Sequence, residues 1–292
     1  MESSEARQEP PGSIGPGPHV ISIQSQVVHG HVGNSVAAFP MQTLGLTVAA
    51  VPTTLLSNHP LYPTMRGRVL EPSLVEDLLR GVEERGLVEA SKAMLTGYLG
   101  SARVGAVVAE FIGRAKARNP DLLYICDPVI GDDGPGVFVA EEIIEIIRDR
   151  LAPAASIITP NQFELELLTQ APARSIMDLH VAAAGFSQRG PMRLVVTGCT
   201  LIDTPAGHIE TIVYDHGALH RIATQRLPIK PNGAGDLFAG LFVAHLANGA
   251  DLLRAAEAAT AGVFKVLQRT LAEHSYELQI SPSDFLPGCR AP

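Results

Sequence analysis

Cysteine is scarce in this sequence, and its spacing argues against both a disulfide framework and a zinc site. The chain of 292 residues contains three cysteines, Cys126, Cys199 and Cys289, which are far apart. An odd number of distant cysteines argues against a disulfide framework and fits a reducing compartment. The sequence contains no C-x-x-C pair, so this signature of a zinc site is absent. We therefore expect a cytoplasmic protein.

Long hydrophobic runs and an excess of basic residues are also missing. No apolar stretch approaches the roughly 18 residues that predict a membrane span, and the richest one, 237–246, contains His245. Lys and Arg number 22 against 30 Asp and Glu, so the formal net charge is −8. A nucleic-acid-binding domain usually presents a basic face. We expect neither a membrane nor a nucleic acid as partner, and an anionic ligand would need backbone amides, a metal ion or a few basic side chains.

Residues 1–18 differ in composition from the rest. They contain four prolines and three glycines, with no apolar periodicity and no positively charged region followed by an apolar one. That composition is typical of a disordered leader and not of a signal peptide. Residues 19–292 show neither an internal repeat nor a linker, so we expect a single domain there.

From residue 19 onward, apolar strands alternate with amphipathic helices. Near-continuous apolar strands between such helices predict an α/β fold with a mostly parallel sheet covered on both faces. The two strands within 208–224 predict an antiparallel hairpin at one edge. The predicted strands are 19–25, 46–51, 92–98, 122–133, 156–160, 193–198, 208–214 and 218–224. The predicted helices are 34–44, 72–85, 103–118, 141–150, 161–168, 176–188, 236–247 and 252–267.

Polar side chains follow several of these strands. In a parallel sheet of this class, ligands bind beyond the carboxyl ends of the strands. We therefore expect these polar residues to meet at one edge of the sheet. They are Ser25, Tyr98, Asp127, Asp132, Asn161 and Thr197.

A glycine-rich turn precedes the long apolar helix near the C-terminus. Gly233, Ala234 and Gly235 let the backbone approach a ligand closely, and the helix start presents free amides that favour an anion. Asp236 follows directly. A carboxylate beside an anion site repels phosphate, but it can accept a proton from an attacking hydroxyl. The alternative is a first-turn Asp that offsets the helix dipole.

This turn and several other segments together resemble the pyridoxal kinases, a family of ribokinase-like small-molecule kinases. The order of the segments is more specific than any one of them. They are GAGD (233–236), SIQSQVVHGHVGNSVAAFPMQTLG (22–45), SNH (57–59), LTGYLGS (95–101), CDPVIGD (126–132), ITPNQFELELL (158–168) and SYELQ (275–279). The resemblance implies a three-layer αβα sandwich and ATP-dependent phosphorylation of the 5′-hydroxymethyl group of a vitamin B6 compound.

The resemblance also implies a role for each matching residue. Asp236 corresponds to the general base, with Gly233, Ala234 and Gly235 as its anion hole. The implied substrate residues are Ser25, which hydrogen-bonds the pyridine ring, Val32 and Tyr98 as walls, Thr54, His59 and Asp236. The implied ATP residues are Asp127, Asp132, Asn161, Glu164, Thr197, Gly198, Gly233 and Gly235. Magnesium would be held by Asp127, Asn161 and Glu164, partly through water, and the family further implies activation by potassium and a homodimer.

Simpler readings of the same residues remain open. Asn161 and Glu164 have the spacing of a helix cap with an acidic residue at the third position. Ser25 could cap a turn, and Tyr98 could be an aromatic at the core edge.

Other residues depart from the family pattern. Pro60 stands where the family commonly has Thr, Thr54 where it often has Val, and Pro231-Asn232 where an apolar pair is expected. These departures leave the choice among pyridoxal, pyridoxine and pyridoxamine open. They also leave open a kinase for another alcohol, such as a hydroxymethylpyrimidine, and a binding protein without turnover. A dinucleotide-dependent dehydrogenase is disfavoured, because no G-x-G-x-x-G follows the first strand.

Overall fold

The computed structural model describes residues 19–187 and 193–286. The leader predicted over 1–18 and Cys289 lie outside the described residues. The strands are β1 (His19–Val27), β2 (Thr47–Leu56), β3 (Gly67–Val69), β4 (Ser91–Thr96), β5 (Leu123–Cys126), β6 (Gly131–Asp132), β7 (Gly136–Val137), β8 (Ile157–Ile158), β9 (Arg193–Cys199), β10 (His208–Asp215) and β11 (Ala218–Gln225).

The helices connect these strands. They are α1 (Asn34–Thr43), α2 (Pro72–Glu84), α3 (Leu87–Ala90), α4 (Ala102–Arg118), α5 (Glu141–Ile146), α6 (Ala152–Ala154), α7 (Gln162–Thr169), α8 (Ile176–Ser187), α9 (Ala234–Ala247) and α10 (Leu252–Ala272). A π-helical turn, Ile147–Leu151, joins α5 to α6, and a 3-10 turn, Pro282–Asp284, follows α10.

One nine-stranded sheet runs in the order β11-β10-β9-β8-β5-β4-β1-β2-β3. Its central pairs from β2 to β9 are parallel. The β10–β11 hairpin is antiparallel, as predicted, and its two loop residues, His216 and Gly217, both have positive φ. Such a loop matches the twist of the strands that it joins. The opposite edge is antiparallel as well, because β3 pairs with β2. That second antiparallel edge was not predicted.

Apolar side chains form a core on each face of the sheet. One core contains Val75 of α2, Phe111 of α4 and Leu165 of α7. The other contains Met41 of α1 and Phe242 of α9, together with the buried face of α10. Two helical layers therefore enclose the sheet, which confirms the predicted three-layer αβα sandwich.

The strand predicted over 122–133 was wrong in length. Only Leu123–Cys126 pair in the main sheet, and residues 131–137 fold back as the small β6–β7 hairpin. Asp127 and Pro128 end the strand, since proline has no N–H to donate to a ladder. Gly134 and Gly136, both with positive φ, allow the tight return of the hairpin.

The sheet order changes direction between β1 and β4. From β1 the chain moves to β2 on one side, whereas β4, β5, β8 and β9 follow on the other. Such a switch opens a crevice at the carboxyl ends of the strands. At this end of β1 the pairing with β2 slips by one residue beyond Gln24, opposite Pro52. The Asn34 Nδ2 donates there to the carbonyls of Gln24 and Val51, both at 3.2 Å.

Candidate active site

Asp236 stands in the first turn of α9, where the sequence places a carboxylate beside free helix amides. Its side chain is partly buried. Burial raises the pKa of Asp236 to about 6, while a hydrogen bond from the Gly33 backbone opposes that rise. A carboxyl group with such a pKa is ionised at neutral pH yet basic enough to accept a proton. The geometry therefore suits a general base.

The turn before Asp236 needs glycine at one position in particular. Gly233 has a φ of +84°, and a Cβ there would overlap the His31 carbonyl oxygen. Left-handed backbone of this kind is costly for residues with a side chain. By contrast, a Cβ on Gly235 would meet nothing within 4 Å. Close packing of Gly233 against His31 thus sets where α9 begins and where its free N–H groups point.

Asp127 lies at the end of β5, among other carboxylates. It is 8% exposed, and the Thr159 hydroxyl donates to it at 3.2 Å. Burial, followed by the charges of Glu164 and Asp236, raises the pKa of Asp127 well above its usual range. Asp127 therefore lies close enough to both carboxylates for their charges to disfavour its ionised form, which a nearby cation would stabilise.

Asn161 and Glu164 form a complete capping box at the start of α7. The Asn161 Oδ1 accepts from the Glu164 N–H at 2.8 Å, and the Glu164 Oε2 accepts from the Asn161 N–H at 2.9 Å. The other oxygen of Glu164 accepts from Ile130 and Gly131, and the Asn161 Nδ2 donates to the Gly131 carbonyl at 2.8 Å. Burial raises the pKa of Glu164 to about 7. Structurally, this pair is a cap that also anchors the β6–β7 hairpin.

A cleft of about 630 Å³ opens beside the start of α9. Its lining includes apolar Phe238, Val263 and Leu267 together with Ala234 and Gly235 of the glycine turn. Six of the residues predicted for the anion hole and the ATP site line it, namely Asp132, Asn161, Thr197, Gly198, Ala234 and Gly235.

The β6–β7 hairpin is tied to the segment that precedes the glycine turn. The Lys230 ammonium lies 2.9 Å from the Asp132 carboxylate and donates to the Asp133 carbonyl at 2.8 Å. Both side chains of the ion pair are largely exposed, so the pair adds little to global stability. It does hold the hairpin beside the mouth of the cleft.

Two of the residues predicted for the substrate, Ser25 and Val32, lie near the glycines that contact the start of α9. Ser25 is buried near the end of β1, and Gly33 packs so closely on it that a Cβ would overlap the Ser25 carbonyl. Val32 lies beside Gly233, since a Cβ added to Gly233 would be 3.4 Å from a methyl group of Val32. Thus β1, the loop after it and the start of α9 meet around the carboxylate.

Tyr98, Thr54 and His59 come from three neighbouring loops and strands. Tyr98 follows β4, its carbonyl accepts from the Thr53 hydroxyl at 2.6 Å, and burial raises the pKa of its phenol. Thr54 is buried in β2, and its hydroxyl has no hydrogen-bond partner within the described ranges. Burial lowers the pKa of His59, whose Nδ1 accepts from the Leu61 N–H at 3.2 Å. His59 is therefore neutral at physiological pH, with its other ring nitrogen as a donor.

Sequence reasoning missed several residues that complete the site. Gly33 bonds to Asp236, Thr159 bonds to Asp127, and Lys230 pairs with Asp132. Gly33 directly precedes α1, and its glycine identity was the one local signal available. The bonds of Thr159 and Lys230 join segments 32 and 98 residues apart, respectively, so spacing could not reveal them.

Within the described residues, no group of three or more His, Cys, Asp or Glu side chains is arranged as a ready metal site. Magnesium commonly binds through one or two carboxylates, waters and substrate phosphates. Asp127, with its raised pKa among other carboxylates, has the chemistry of such a ligand. Residues 19–187 and 193–286 also contain no helix long and apolar enough to span a membrane.

Comparison with known proteins shows the family to which this chain belongs. Residues 41–280 match the phosphomethylpyrimidine kinase family model. A pyridoxal kinase of Granulibacter bethesdensis is 40% identical over 264 residues, covering 89% of this chain and 92% of the relative. A pyridoxine/pyridoxal/pyridoxamine kinase of Bordetella avium is also 40% identical, over 265 residues, 91% of this chain and 90% of its own.

The solved structures agree with these relatives. Pyridoxal kinase from Leishmania donovani, in complex with ADP and pyridoxine, superposes with a TM-score of 0.82 at 29% identity, covering 89% of this chain and 92% of the other. With identity and coverage this high along most of the sequence, the chain belongs to the pyridoxal kinase family.

Proposed function

We propose that this protein transfers the γ-phosphoryl group of ATP to the 5′-hydroxymethyl group of pyridoxal, giving pyridoxal 5′-phosphate in the salvage of vitamin B6. The observation that carries the proposal is Asp236. This partly buried carboxylate, with a pKa of about 6, stands at the glycine turn that opens α9. The turn borders the cleft that contains six of the predicted ATP and anion-hole residues, and Val32 lies beside Gly233.

In the proposed reaction, Asp236 accepts the proton of the substrate hydroxyl as its oxygen bonds to the γ-phosphorus. The bond from that phosphorus to the bridging oxygen breaks, and ADP leaves with the electron pair. The N–H groups of Gly233, Ala234 and Gly235 stabilise the charge on the transferred group. Asp236 then releases its proton to solvent. Magnesium would neutralise phosphate charge when bound near Asp127.

The two ligands are assigned to the two sides of Asp236. ATP would occupy the cleft lined by Asp132, Thr197 and Gly198, with Asp127, Asn161 and Glu164 at its metal end. The pyridine ring would lie between Val32 and Tyr98, with Ser25 as its hydrogen-bond partner and Thr54 and His59 nearby. The Leishmania relative, solved with ADP and pyridoxine, supports two separate sites of this kind.

Three further features follow from family membership and are proposed on that basis. They are activation by a monovalent cation such as potassium, a homodimeric assembly, and a cytoplasmic location. Buried Cys126 and Cys199, both free thiols, are compatible with a reducing compartment.

The first experiment is formation of pyridoxal 5′-phosphate, followed by its absorbance, from pyridoxal and Mg-ATP. Pyridoxine, pyridoxamine and a hydroxymethylpyrimidine are tested in parallel. Of two relatives that are both 40% identical, one is a pyridoxal kinase and the other a pyridoxine/pyridoxal/pyridoxamine kinase. We expect robust product from pyridoxal. Such a result would also show that Pro60 and Thr54 are tolerated variation.

A second candidate is a hydroxymethylpyrimidine kinase, favoured by the family model that matches residues 41–280. Turnover of the pyrimidine alone would move the substrate while keeping the fold and the base. Tight pyridoxal binding without consumption of ATP would instead indicate a binding protein. Retention of Asp236 argues against the latter, since a binding protein has no use for a base.

Removing Asn161 and Glu164 together tests the metal assignment. We expect Asn161→Ala/Glu164→Ala to raise the magnesium concentration for half-maximal rate by about tenfold, the usual effect of lost outer-shell partners. The readout is a magnesium titration at saturating ATP and pyridoxal.

The double variant also loses a helix cap, which typically costs about 1 kcal/mol. Asp251→Ala removes the cap of α10, where the Asp251 carboxylate accepts from the Arg254 N–H at 2.8 Å, and serves as the control. If both variants show the wild-type magnesium dependence, the Asn161–Glu164 pair is a structural cap alone.

A further inference from the structure

The carboxylate of Glu277 joins two separate loops at the substrate side of the site. One oxygen accepts from the Tyr62 hydroxyl at 2.6 Å, and the other accepts from the His31 N–H at 3.1 Å. The His31 Nδ1 lies 3.6 Å from the same carboxylate. Gly30 also packs here, because a Cβ on it would come within 2.9 Å of Glu277. The Glu277 side chain is only 14% exposed, so its carboxylate is largely buried between the two loops that it contacts.

The segment that carries Glu277 is itself held firmly against α10. Leu278 is fully buried in the core that contains α9 and α10. The Gln279 N–H donates to the Thr270 hydroxyl at 2.9 Å, and the Ser275 hydroxyl donates to the Glu277 carbonyl at 2.7 Å. Residues 275–279 are therefore held in place against α10 by packing and hydrogen bonds.

The first loop fastened by Glu277, residues 28–33, reaches the reacting centre directly. The His31 carbonyl packs against Gly233 at the start of α9, and Val32 lies beside the same glycine. Gly33 bonds to Asp236. A shift of His31 would therefore move a predicted substrate wall, Val32, and a partner of the base, Gly33, together.

The second loop, residues 59–62, is fastened through Tyr62. The Tyr62 ring makes edge contacts with His29 at 6.1 Å and Tyr276 at 5.3 Å between ring centroids. The hydrogen bond to Glu277 raises the pKa of Tyr62 to about 12, so its hydroxyl remains a donor. His59, at the other end of this loop, also feels the charge of Glu277.

We infer that Glu277 is a positioning residue that holds the loops carrying Val32, Gly33 and His59 in their substrate-binding arrangement. The inference rests on the proposed function for the meaning of those loops. Glu277 touches neither the reacting atoms nor the ATP cleft in this arrangement, so its effect should fall on the substrate side. A misplacement of about 1 Å is enough to slow an oriented reaction about 100-fold.

The test compares Glu277→Ala and Glu277→Gln with Glu273→Ala, which removes an exposed carboxylate four residues away. Glu277→Ala should raise the KM for pyridoxal about tenfold or more, leave the KM for ATP within about twofold, and lower kcat/KM for pyridoxal by roughly 10- to 100-fold. Glu277→Gln keeps one acceptor for His31 and can donate to the Tyr62 oxygen, so it should recover most of the loss. Tyr62→Phe should show a smaller effect of the same kind.

Hydrogen exchange separates this inference from the proposed function. In Glu277→Ala the amides of residues 28–33 should exchange at least tenfold faster than in the wild type and in Glu273→Ala, with α10 unchanged. That readout needs no substrate, so it stands even if pyridoxal is not turned over. Unchanged exchange in this loop, or equal rises in both KM values, would overturn the inference. Faster exchange with wild-type kinetics would overturn the role in substrate positioning.

Discussion

Replacing Asp236 with alanine is expected to lower turnover by about 100- to 10,000-fold, the range over which a positioned general base contributes. ATP binding should not weaken, because the carboxylate repels rather than attracts the phosphates. The measurements are kcat with pyridoxal and the dissociation constant for ATP by calorimetry. Asp236→Asn keeps the shape of the side chain and should be equally slow, since an amide does not accept this proton.

The pH profile gives the same prediction a second, independent readout. A base with a pKa raised to about 6 works only when deprotonated, so the wild-type rate should fall as pH drops through about 6. The residual rate of Asp236→Ala should lack that fall. A fall that persists in the variant would assign it to another group, with neighbouring Asp127 the first to examine.

A control excludes a mere helix-dipole effect at Asp236. Glu142 is an exposed acid in the first turn of α5, away from the cleft. Glu142→Ala should lose about 0.3–1 kcal/mol of stability, as expected for a first-turn charge, and keep full activity. Near-normal turnover in Asp236→Ala would contradict the assignment of Asp236 as the general base, whatever the stability of the variant.

Replacing Gly233 with alanine is expected to have the second largest effect. The new Cβ would overlap the His31 carbonyl oxygen, and the residue would remain in the left-handed region. The backbone conformation alone costs about 1–2 kcal/mol, and relief of the overlap must move either α9 or the 28–33 loop. We expect a clear loss of thermal stability and a fall in kcat/KM of roughly 100-fold.

Gly217→Ala provides the matched control for this prediction. Gly217 also has positive φ, at +95°, but a Cβ there would meet nothing within 4 Å. Its variant therefore measures the backbone term without the overlap, in a turn remote from the cleft. If the Gly233 and Gly217 variants lose the same stability and both keep activity, close packing against His31 has no part in shaping the anion hole.

Several features of this protein could be read from the sequence because they depend on short-range physics. The alternation of apolar strands and amphipathic helices predicted the parallel sheet with two helical layers, since each element must bury its apolar face. The Gly233–Asp236 turn predicted a helix start with free amides and a carboxylate. The error over 122–133 shows the limit of periodicity, because an apolar run does not by itself show where pairing ends.

Tertiary structure decided what long-range contacts control. Only the folded chain brings Gly33 to Asp236, Lys230 to Asp132, and Glu277 to loops that lie more than 200 residues earlier. It also shows that both polar ends of Asn161 and both oxygens of Glu164 are engaged in backbone hydrogen bonds. The layered fold and the residue types at the helix start follow from the amino-acid pattern alone, because local pattern and turn chemistry act between near neighbours. The pKa of the base and the attachment of the substrate loops were decided only by the tertiary structure, because burial and charge proximity depend on segments that folding alone brings together.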